Sequence, residues 1–455
     1  MTGATKDLVS YICKMEYDDL PESVVSRCED LFLDWLGSAL AGKGSTPIPL
    51  FERFAEKMGP KNGESEILTL RSTTSPYFAA FVNAASSHVV EQDDVHASSV
   101  FHPGAVIFPA VLAASQAEQS SGSQLILAAV AGYEAGIRIG ESLGRTHYNV
   151  FHTTGTVGTL AAAIAVGKLL NLSEENMRHA IGNAGTQAAG LWEFLRDGAD
   201  SKQLHTAKAA ADGLLSAYMA QDGLTGAKEI IEGQKGMAAG MSTDFNPLKI
   251  NDGLGERWVI DETSFKFHAS CRHTHPAADA LQQVIENHAL KHSDVESVVC
   301  HVHQAAIDVL GQVNIPSSVH QAKFSMGTVL GLIAVHGKAG LEEFERYALN
   351  DLSVADFCSR VSMSLDTEVN EAYPAKWLGK VEVFTRSGEV LKGVVCDPKG
   401  DPENSLSRSE LEQKFDRLVS FSGAATPSEK KNLIDFSWKL HDSDKVGFLV
   451  SAPCC

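Results

Sequence analysis

The chain has 455 residues, 44% of them hydrophobic and 21% charged, which is enough apolar material for a large core and excludes global disorder. This length is natural for two domains. Lys and Arg total 38 and Asp and Glu total 57, so the formal net charge is −19. So acidic a chain is a poor electrostatic match for nucleic acid or an anionic membrane. An anionic substrate would therefore need positive charge concentrated in one site.

The eight cysteines are scattered along the chain and form no CxxC pair. In a chain of this length, that spacing predicts reduced thiols and no disulfide framework. The N-terminal segment lacks a basic region followed by an apolar run, and the apolar runs elsewhere are too short to span a bilayer. We therefore expect a cytoplasmic protein that binds neither membranes nor nucleic acid.

The first half of the sequence has the apolar spacing of α-helices. Between residues 22 and 40, apolar side chains recur every three or four positions, and Gly42 ends the pattern. Further helical segments, rich in Ala and Gly, lie at residues 77–88, 104–117, 124–143, 155–170 and 206–219. Because they are apolar on nearly all sides and small residues let helix axes approach closely, these segments predict a packed bundle of many helices.

The pattern changes after Gly240. Residues 295–302 alternate like a strand, and residues 380–385 and 390–395 flank a turn, as in a β-hairpin. Helical stretches at 277–288 and 324–336 lie between these strands, which predicts an α+β domain over residues 245–397. Two helices follow, at 409–419 and 427–441, and could return to pack on the first domain.

Polar residues form four clusters in the otherwise apolar sequence, at residues 88–105, 147–155, 196–205 and 265–276. In three of them a His or Lys comes just before a Gly- or Ala-rich helix, where backbone N–H groups favour bound anions. If the clusters converge, they form a cationic pocket of the kind that a polycarboxylate requires. If each is only a helix cap or a loop, the protein is instead a dimeric binding or scaffold protein without chemistry.

The sequence lacks the common cofactor motifs. It contains no HExxH, no GxxxxGK[ST], no GxGxxG after a strand and no GxSxG. Two groups carry metal-ligating residue types without a standard ligand spacing: Asp93, Asp94, His96 and His102, and Cys271, His273 and His275. The cysteines are also too dispersed for an iron–sulfur cluster. Cofactor-free acid–base chemistry remains, so we expect neither a metal nor an organic cofactor.

Six segments occur in an order that resembles one family: LFLDWLGSALAG, YFAAFVNAASSH, EQDDVHASSVFHPGA, FHTTGTVGTLAAAIAVGKLLNLS, SKQLHTAKAAADG and FKFHASCRHTHPAADAL. They are similar to the MmgE/PrpD family, which includes 2-methylcitrate dehydratase, cis-aconitate decarboxylase and iminodisuccinate epimerase. The resemblance implies a mainly α fold: a large all-helical bundle from both chain ends, residues 1–244 and 398–455, and a smaller inserted, lid-like α+β domain, residues 245–397. It also implies a homodimer with a cofactor-free site between the domains.

The resemblance further implies the site residues. Matching motif by motif places the catalytic residues at His102, His152, Lys202 and His275. The other polar positions of the same motifs are expected to bind substrate: Glu91, Asp93, Asp94, His96, Arg272 and His273. Among these, His102 and His152 would transfer protons, while Lys202, Arg272 and His275 would hold substrate carboxylates.

Three positions depart from the pattern of decarboxylase-type members. Glu91 replaces an aspartate, Val95 a threonine and Met326 a tyrosine. These departures argue against cis-aconitate decarboxylation and favour a lyase that dehydrates a 2-alkylcitrate-type hydroxy acid. The same two histidines on opposite faces of one carbon would instead epimerise a small dicarboxylate. This epimerisation and a cis-aconitate-type decarboxylation are the alternative reactions.

Overall fold

The computed structural model of the chain describes residues 3–311, 313 and 315–450. Most of these residues are helical, and none of their helices combines the length and apolarity needed to cross a bilayer. The α-helices are, in chain order, α1 (Ala4–Lys14), α2 (Glu22–Ala41), α3 (Ile48–Met58), α4 (Pro76–Val89), α5 (Gly104–Glu118), α6 (Gly122–Tyr148), α7 (Thr153–Leu169), α8 (Glu174–Gly185), α9 (Phe194–Asp197), α10 (Ser201–Gln221), α11 (Met237–Met241), α12 (His275–His288), α13 (Gln304–Leu310), α14 (Val319–Ala322), α15 (Met326–His336), α16 (Leu341–Tyr347), α17 (Leu352–Cys358), α18 (Thr367–Ala372), α19 (Arg408–Ser422) and α20 (Pro427–Ser437).

The strands in the same part of the chain are β1 (Ser65–Ile67), β2 (Ser72–Thr74), β3 (Val95–His96), β4 (Thr263–Ser264), β5 (Val295–Val302), β6 (Val361–Leu365), β7 (Gly379–Thr385) and β8 (Val390–Val395). Four of them form one mixed sheet in the order β6-β5-β7-β8. In it, β5 and β6 are parallel, whereas the β5–β7 and β7–β8 pairs are antiparallel. The predicted fold class, mainly α with an α+β part, is confirmed.

The chain divides into two compact units. The first, called the helical unit, contains the described chain up to Phe194, residues Asp200–Thr263 and residues 407–450. The second, called the sheet unit, contains Leu195–Ala199 and Ser264–Leu406. Residues 451–455, at the end of the predicted helical domain, lie outside the described residues.

The helical unit is built around α7, which is buried over almost its whole length. Helices α4, α5, α6 and α10 surround it or pack on one another beside it. Small residues make this possible: a Cβ on Gly213 of α10 would lie only 2.5 Å from the Cβ of Ala162 on α7. Because α7 begins at Thr153 inside this packing, the residue before it, His152, is buried as well.

The helices after residue 407 pack against α2 in the helical unit. These helices approach closely at Gly37 of α2, where an added Cβ would lie 3.0 Å from the ring of Phe415 and 3.4 Å from the side chain of Leu418, both on α19. An ion pair joins the same two helices, because the Lys414 ammonium lies 2.6 Å from Asp34 Oδ1. Lys414 also donates to the carbonyl of Gln92, 2.8 Å away. Helix α19 therefore supports the loop that follows α4.

The sheet unit places α12 against β7 and β8. Alternate residues of β5 are buried, including Val298 and Cys300, as the period of a strand requires. The same holds for Val381 and Val383 of β7. Helix α12 begins at His275, so this predicted site residue lies at a helix start in the sheet unit.

Candidate active site

Histidine rings meet inside the helical unit around the carboxylate of Asp93. His88, on α4, places its Nδ1 2.7 Å from Asp93 Oδ2, and His102, just before α5, places its Nδ1 3.1 Å from the same oxygen. The ring of His152 stacks on that of His88, with 5.6 Å between the centroids and 22° between the planes. All four side chains are buried.

A fourth ring, His205 on α10, contacts His152. The two Nδ1 atoms are 3.2 Å apart, which is hydrogen-bonding distance. The contact depends on the close approach of α10 to the start of α7, since a Cβ on Gly155 would lie 3.0 Å from the Cβ of His205. The indole of Trp192 also packs against the ring of His152, with 4.7 Å between the centroids. We call His88, His102, His152 and His205 the histidine cluster.

Lys202 and Glu91 form an ion pair beside the histidine cluster. The Lys202 ammonium donates to Glu91 Oε1, and both side chains are almost fully buried. Glu91 has a positive φ of 59°, so the chain reverses sharply at this residue, one position beyond the C-cap of α4. Lys202 and His102 are both close enough to His152 to lower its pKa. The structure therefore brings together three of the predicted catalytic residues.

Asp94 anchors the loop that carries His102. Its carboxyl accepts hydrogen bonds from the Gly104 N–H, at 2.9 Å, and the Tyr133 hydroxyl, at 2.6 Å. Its backbone carbonyl accepts a third, 2.7 Å from His102 Nδ1. Only glycine fits at the start of α5, because a Cβ on Gly104 would lie 2.8 Å from Asp94 Oδ1. Burial raises the pKa of Asp94 to about 8.

Burial also sets the protonation of the cluster. It lowers the pKa of His88 to about 4 even though Asp93 acts in the opposite direction. Burial and the neighbouring His205 hold the pKa of His152 well below its usual range, and burial with Lys202 lowers that of His205 to about 4. Asp93 shows the reverse: burial acts to raise its pKa, but the adjacent His88 and His102 hold it well below the usual range. The neutral ring of His88 thus lies against the ionised carboxylate of Asp93.

His96 lies in the helical unit but in a different environment. Its Nδ1 is 2.9 Å from Ser99 Oγ, which closes the turn between β3 and His102. Its Nε2 is 3.5 Å from Glu262 Oε2, and Arg257 binds the same carboxylate. These contacts give His96 a role in the turn, and its predicted contact with substrate stays a prediction.

His275 lies in the sheet unit, where it is fully buried. Its Nδ1 accepts from Arg272 Nη1 at 3.4 Å, and its Nε2–H donates to the Ser270 carbonyl at 3.3 Å. Burial and then Arg272 hold the pKa of His275 well below its usual range. Arg272 in turn forms an ion pair with Asp401. The predicted convergence of His275 with His102, His152 and Lys202 stays a prediction.

His273 also lies in the sheet unit, in an aromatic environment. Its ring stacks on Trp377 with 4.9 Å between centroids, and its Nδ1 is 3.4 Å from His303 Nε2. His303 Nδ1 accepts from the Ala306 N–H, so the hydrogen of the His303 ring is on Nε2 and points to His273. His273 is therefore held in one orientation.

Two groups in the described part of the chain have metal-ligating atoms within 4.8 Å of one another: His88, Asp93 and His102, and His96, Glu141 and Glu262. In the first, His102 Nδ1 faces a backbone carbonyl as well as Asp93, so this nitrogen carries a hydrogen and has no lone pair for a metal. In the second, the Arg257 guanidinium donates to both glutamates. Hydrogen bonding accounts for both groups, and the predicted absence of a metal stays a prediction.

The sequence analysis did not propose roles for His88, His205 or Trp192. His205 follows Lys202 by three residues on α10, and this helical spacing puts both on one face. That signal could have identified His205. His88 lies in the first polar cluster, but nothing local shows that its ring reaches Asp93. Trp192 carries no signal of its own, because its contact with His152 arises only in the folded chain.

Comparison with known proteins gives consistent matches over the whole chain. The models for the MmgE/PrpD N-terminal domain and the MmgE/PrpD C-terminal domain match residues 6–248 and 268–440. The chain is 28% identical to cis-aconitate decarboxylase of Aspergillus terreus, over 99% of this chain and 96% of that protein. It is 25% identical to the cis-aconitate decarboxylase-like protein oryM of Aspergillus oryzae, over 92% and 91% of the two chains. Human cis-aconitate decarboxylase is 24% identical, over 91% and 87%.

Proposed function

The chain belongs to the MmgE/PrpD family, and from that premise we propose that it is a cofactor-independent lyase that acts on a citrate-like di- or tricarboxylate. The observation that carries the proposal is the burial of His88, His102 and His152 beside Lys202 in a protein of net charge −19. Neutral imidazoles can accept and return protons, and an ammonium can hold a carboxylate. Acid–base chemistry next to a carboxylate needs both.

For the reaction we propose dehydration of a 2-alkylcitrate-type hydroxy acid. One imidazole of the pair His102 and His152 takes a proton from the carbon next to a carboxylate, and the electron pair passes into that carboxylate as an enediolate. The hydroxyl on the adjacent carbon then leaves as water with a proton from the protein, and an alkene forms. Glu91 and Val95, which replace polar groups of decarboxylase-type members, support dehydration over decarboxylation.

Decarboxylation of a cis-aconitate-like acid is the second candidate, and the names of the relatives favour it. In that reaction the bond to a carboxylate breaks, CO2 leaves, and the remaining carbanion takes a proton from an imidazole. Both reactions require a carboxylate of the substrate to be held, which we assign to Lys202. We also propose Arg272, His273 and His275 as residues of the sheet unit that contribute to substrate binding.

The test is incubation of the purified full chain with citrate, alkylcitrates, cis-aconitate and amino-dicarboxylates in D2O, followed by NMR. Alkene formation supports the dehydratase and CO2 release the decarboxylase. Deuterium uptake without elimination identifies an epimerase and contradicts the lyase. His102→Asn should abolish turnover, whereas His301→Asn, at a half-buried position on β5, should not. Equal turnover in both variants would refute the proposed site.

A further inference from the structure

The hydrogen bonds of His102 determine where its ring hydrogen lies. Its Nδ1 is 2.7 Å from the carbonyl oxygen of Asp94 and 3.1 Å from Asp93 Oδ2. A carbonyl and an ionised carboxylate only accept hydrogen bonds, so the neutral ring must carry its hydrogen on Nδ1. Its Nε2 then holds the lone pair, which is the form that a proton-accepting base requires.

The same contacts favour positive charge on His102. When Nε2 gains a proton, the Nδ1–H group remains against Asp93, and the hydrogen bond between a neutral ring and a carboxylate becomes an ion pair in a buried environment. Asp93 is fully buried and is held in turn by the Nδ1–H of His88, 2.7 Å from the same oxygen. The carboxylate is therefore fixed in the orientation that stabilises a protonated His102.

His152 has the opposite surroundings. Its Nδ1 faces another imidazole, that of His205, which can donate or accept. The neighbours with the largest electrostatic effects on it all oppose a positive charge: His205, His88, Lys202 and His102. A protonated His152 would lie among potential cations, so His152 is suited to remain neutral and donate or accept a hydrogen bond.

We propose that the two histidines have unequal roles. His102 is the general base, and Asp93 and His88 are positioning residues that hold the hydrogen of its ring on Nδ1. His152 acts as a neutral hydrogen-bonding group whose partner is His205. This division of roles rests on the proposed function. In the first step the C–H bond next to a substrate carboxylate breaks, and its proton forms an N–H bond at His102 Nε2. The electron pair passes into the carboxylate as an enediolate, and His102 becomes an imidazolium against Asp93.

The first test does not depend on activity. Selective 15N-histidine labelling of the full chain, with His102 assigned by its absence in His102→Asn, reports which nitrogen carries the hydrogen. The expected result is the Nδ1–H tautomer of His102 near neutral pH. An Nε2–H tautomer would overturn the proposal even if the enzyme dehydrates citrate-like acids. The tautomer measurement can therefore contradict the role of His102 without contradicting the proposed function.

The second test uses Asp93→Asn. Turnover and deuterium exchange into the substrate should both fall, on the order of 10²–10⁴-fold, with little change in KM. The acidic limb of the pH profile of kcat/KM should move to lower pH, because His102 loses its carboxylate partner. The titratable groups packed around this pair are His88 from α4, Asp94 from the loop after it, His152 from the start of α7, Lys202 from α10, and Asp34 from α2 with Lys414 from α19.

Asp351→Asn is the matched control, because Asp351 pairs with His336 at 3.0 Å in the sheet unit and asparagine can still cap α17. It should leave turnover and the pH profile unchanged. His205→Gln should lower turnover without moving the acidic limb. A rise in KM alone for Asp93→Asn would show that Asp93 binds substrate and would overturn its positioning role. An acidic limb of the pH profile that does not move in Asp93→Asn would also overturn this positioning role.

Discussion

The Lys202 ammonium and the Glu91 carboxylate form an ion pair that is nearly closed to solvent, with exposed side-chain fractions of 3% and 1%. A buried ion pair loses much hydration, so its partners depend strongly on each other. In a chain of net charge −19, this lysine is a cation held inside the site by a carboxylate of the protein itself. A substrate carboxylate that binds Lys202 would share or replace the contact with Glu91.

We expect Glu91→Gln to lower the free energy of unfolding by about 3–5 kcal/mol, because it leaves a buried ammonium without its carboxylate. The double variant Glu91→Gln/Lys202→Met should recover much of the loss, since it removes both charges. Glu342→Gln, which breaks the exposed pair with Arg346, should cost less than about 1 kcal/mol. Urea unfolding measures all three, and similar losses for Glu91→Gln and Glu342→Gln would contradict the prediction.

Among the kinetic parameters of the folded enzyme, we expect Lys202→Ala to affect substrate binding chiefly, through the loss of a charge-assisted contact. The loss should be about 1.5–3 kcal/mol, which corresponds to roughly a 10- to 150-fold rise in KM for the best polycarboxylate found. Lys208→Ala is the control on the same helix, because Lys208 pairs with Asp212 and its side chain is 42% exposed. A KM that rises equally in both variants would show a general effect of charge and no specific contact.

Gly104→Ala should destabilise the fold, because the added Cβ would lie 2.8 Å from Asp94 Oδ1 and 2.9 Å from Tyr133 Oη. We expect a loss of about 1–3 kcal/mol in thermal or urea unfolding. Turnover should fall too, since moving Asp94 disturbs the carbonyl that binds His102 Nδ1. The control is Gly240→Ala, where nothing lies within 4 Å of the added Cβ. If Gly104→Ala is as stable as Gly240→Ala, the result contradicts the close approach of Asp94 and Tyr133 to residue 104.

Local sequence patterns predicted much of the fold. The spacing of apolar residues predicted α2, and the alternation around a Ser-Gly turn predicted the hairpin of β7 and β8. These elements could be predicted because each is specified by neighbouring residues. The parallel pairing of β5 with β6 was not predicted. Strand β6 is short and largely exposed, and its first residue, Val361, lies 59 positions beyond the last residue of β5, Val302.

The candidate site was predicted less completely than the fold. Matching family motifs identified His102 and Lys202 by position, but not what each side chain contacts. The hydrogen bond between His152 and His205 depends on the close approach of two helices at Gly155, and residue types do not reveal such an approach. Likewise, the Asp93 carboxylate accepts from two histidines, a geometry that follows from packing and not from spacing.

Buried groups with shifted pKa values should give the free energy of unfolding a maximum near neutral pH. Burial lowers the pKa values of five histidines from the unfolded value of 6.5: to about 4 for His88, His147 and His205, and well below the usual range for His152 and His275. Between these values the unfolded chain binds more protons, so their contribution to stability rises with pH. Glu134 and Asp94 act oppositely, because burial raises their pKa values to about 7 and about 8.

A carboxyl whose pKa is raised by folding contributes stability below its unfolded value, 3.8 for Asp94, and loses it as the pH rises through about 8. Between about pH 4.5 and 6.5 the five histidines outweigh the two carboxyls, so the free energy of unfolding rises. Above pH 6.5 the contribution of the histidines levels off, and the two carboxyls then lower the free energy of unfolding. Urea unfolding at pH 5, 6.5 and 8 measures this curve.

Asp94→Asn, which keeps an acceptor for the Gly104 N–H, should remove most of the fall in the free energy of unfolding between pH 6.5 and 8. A wild-type stability that keeps rising to pH 8 would show that Asp94 is ionised in the fold.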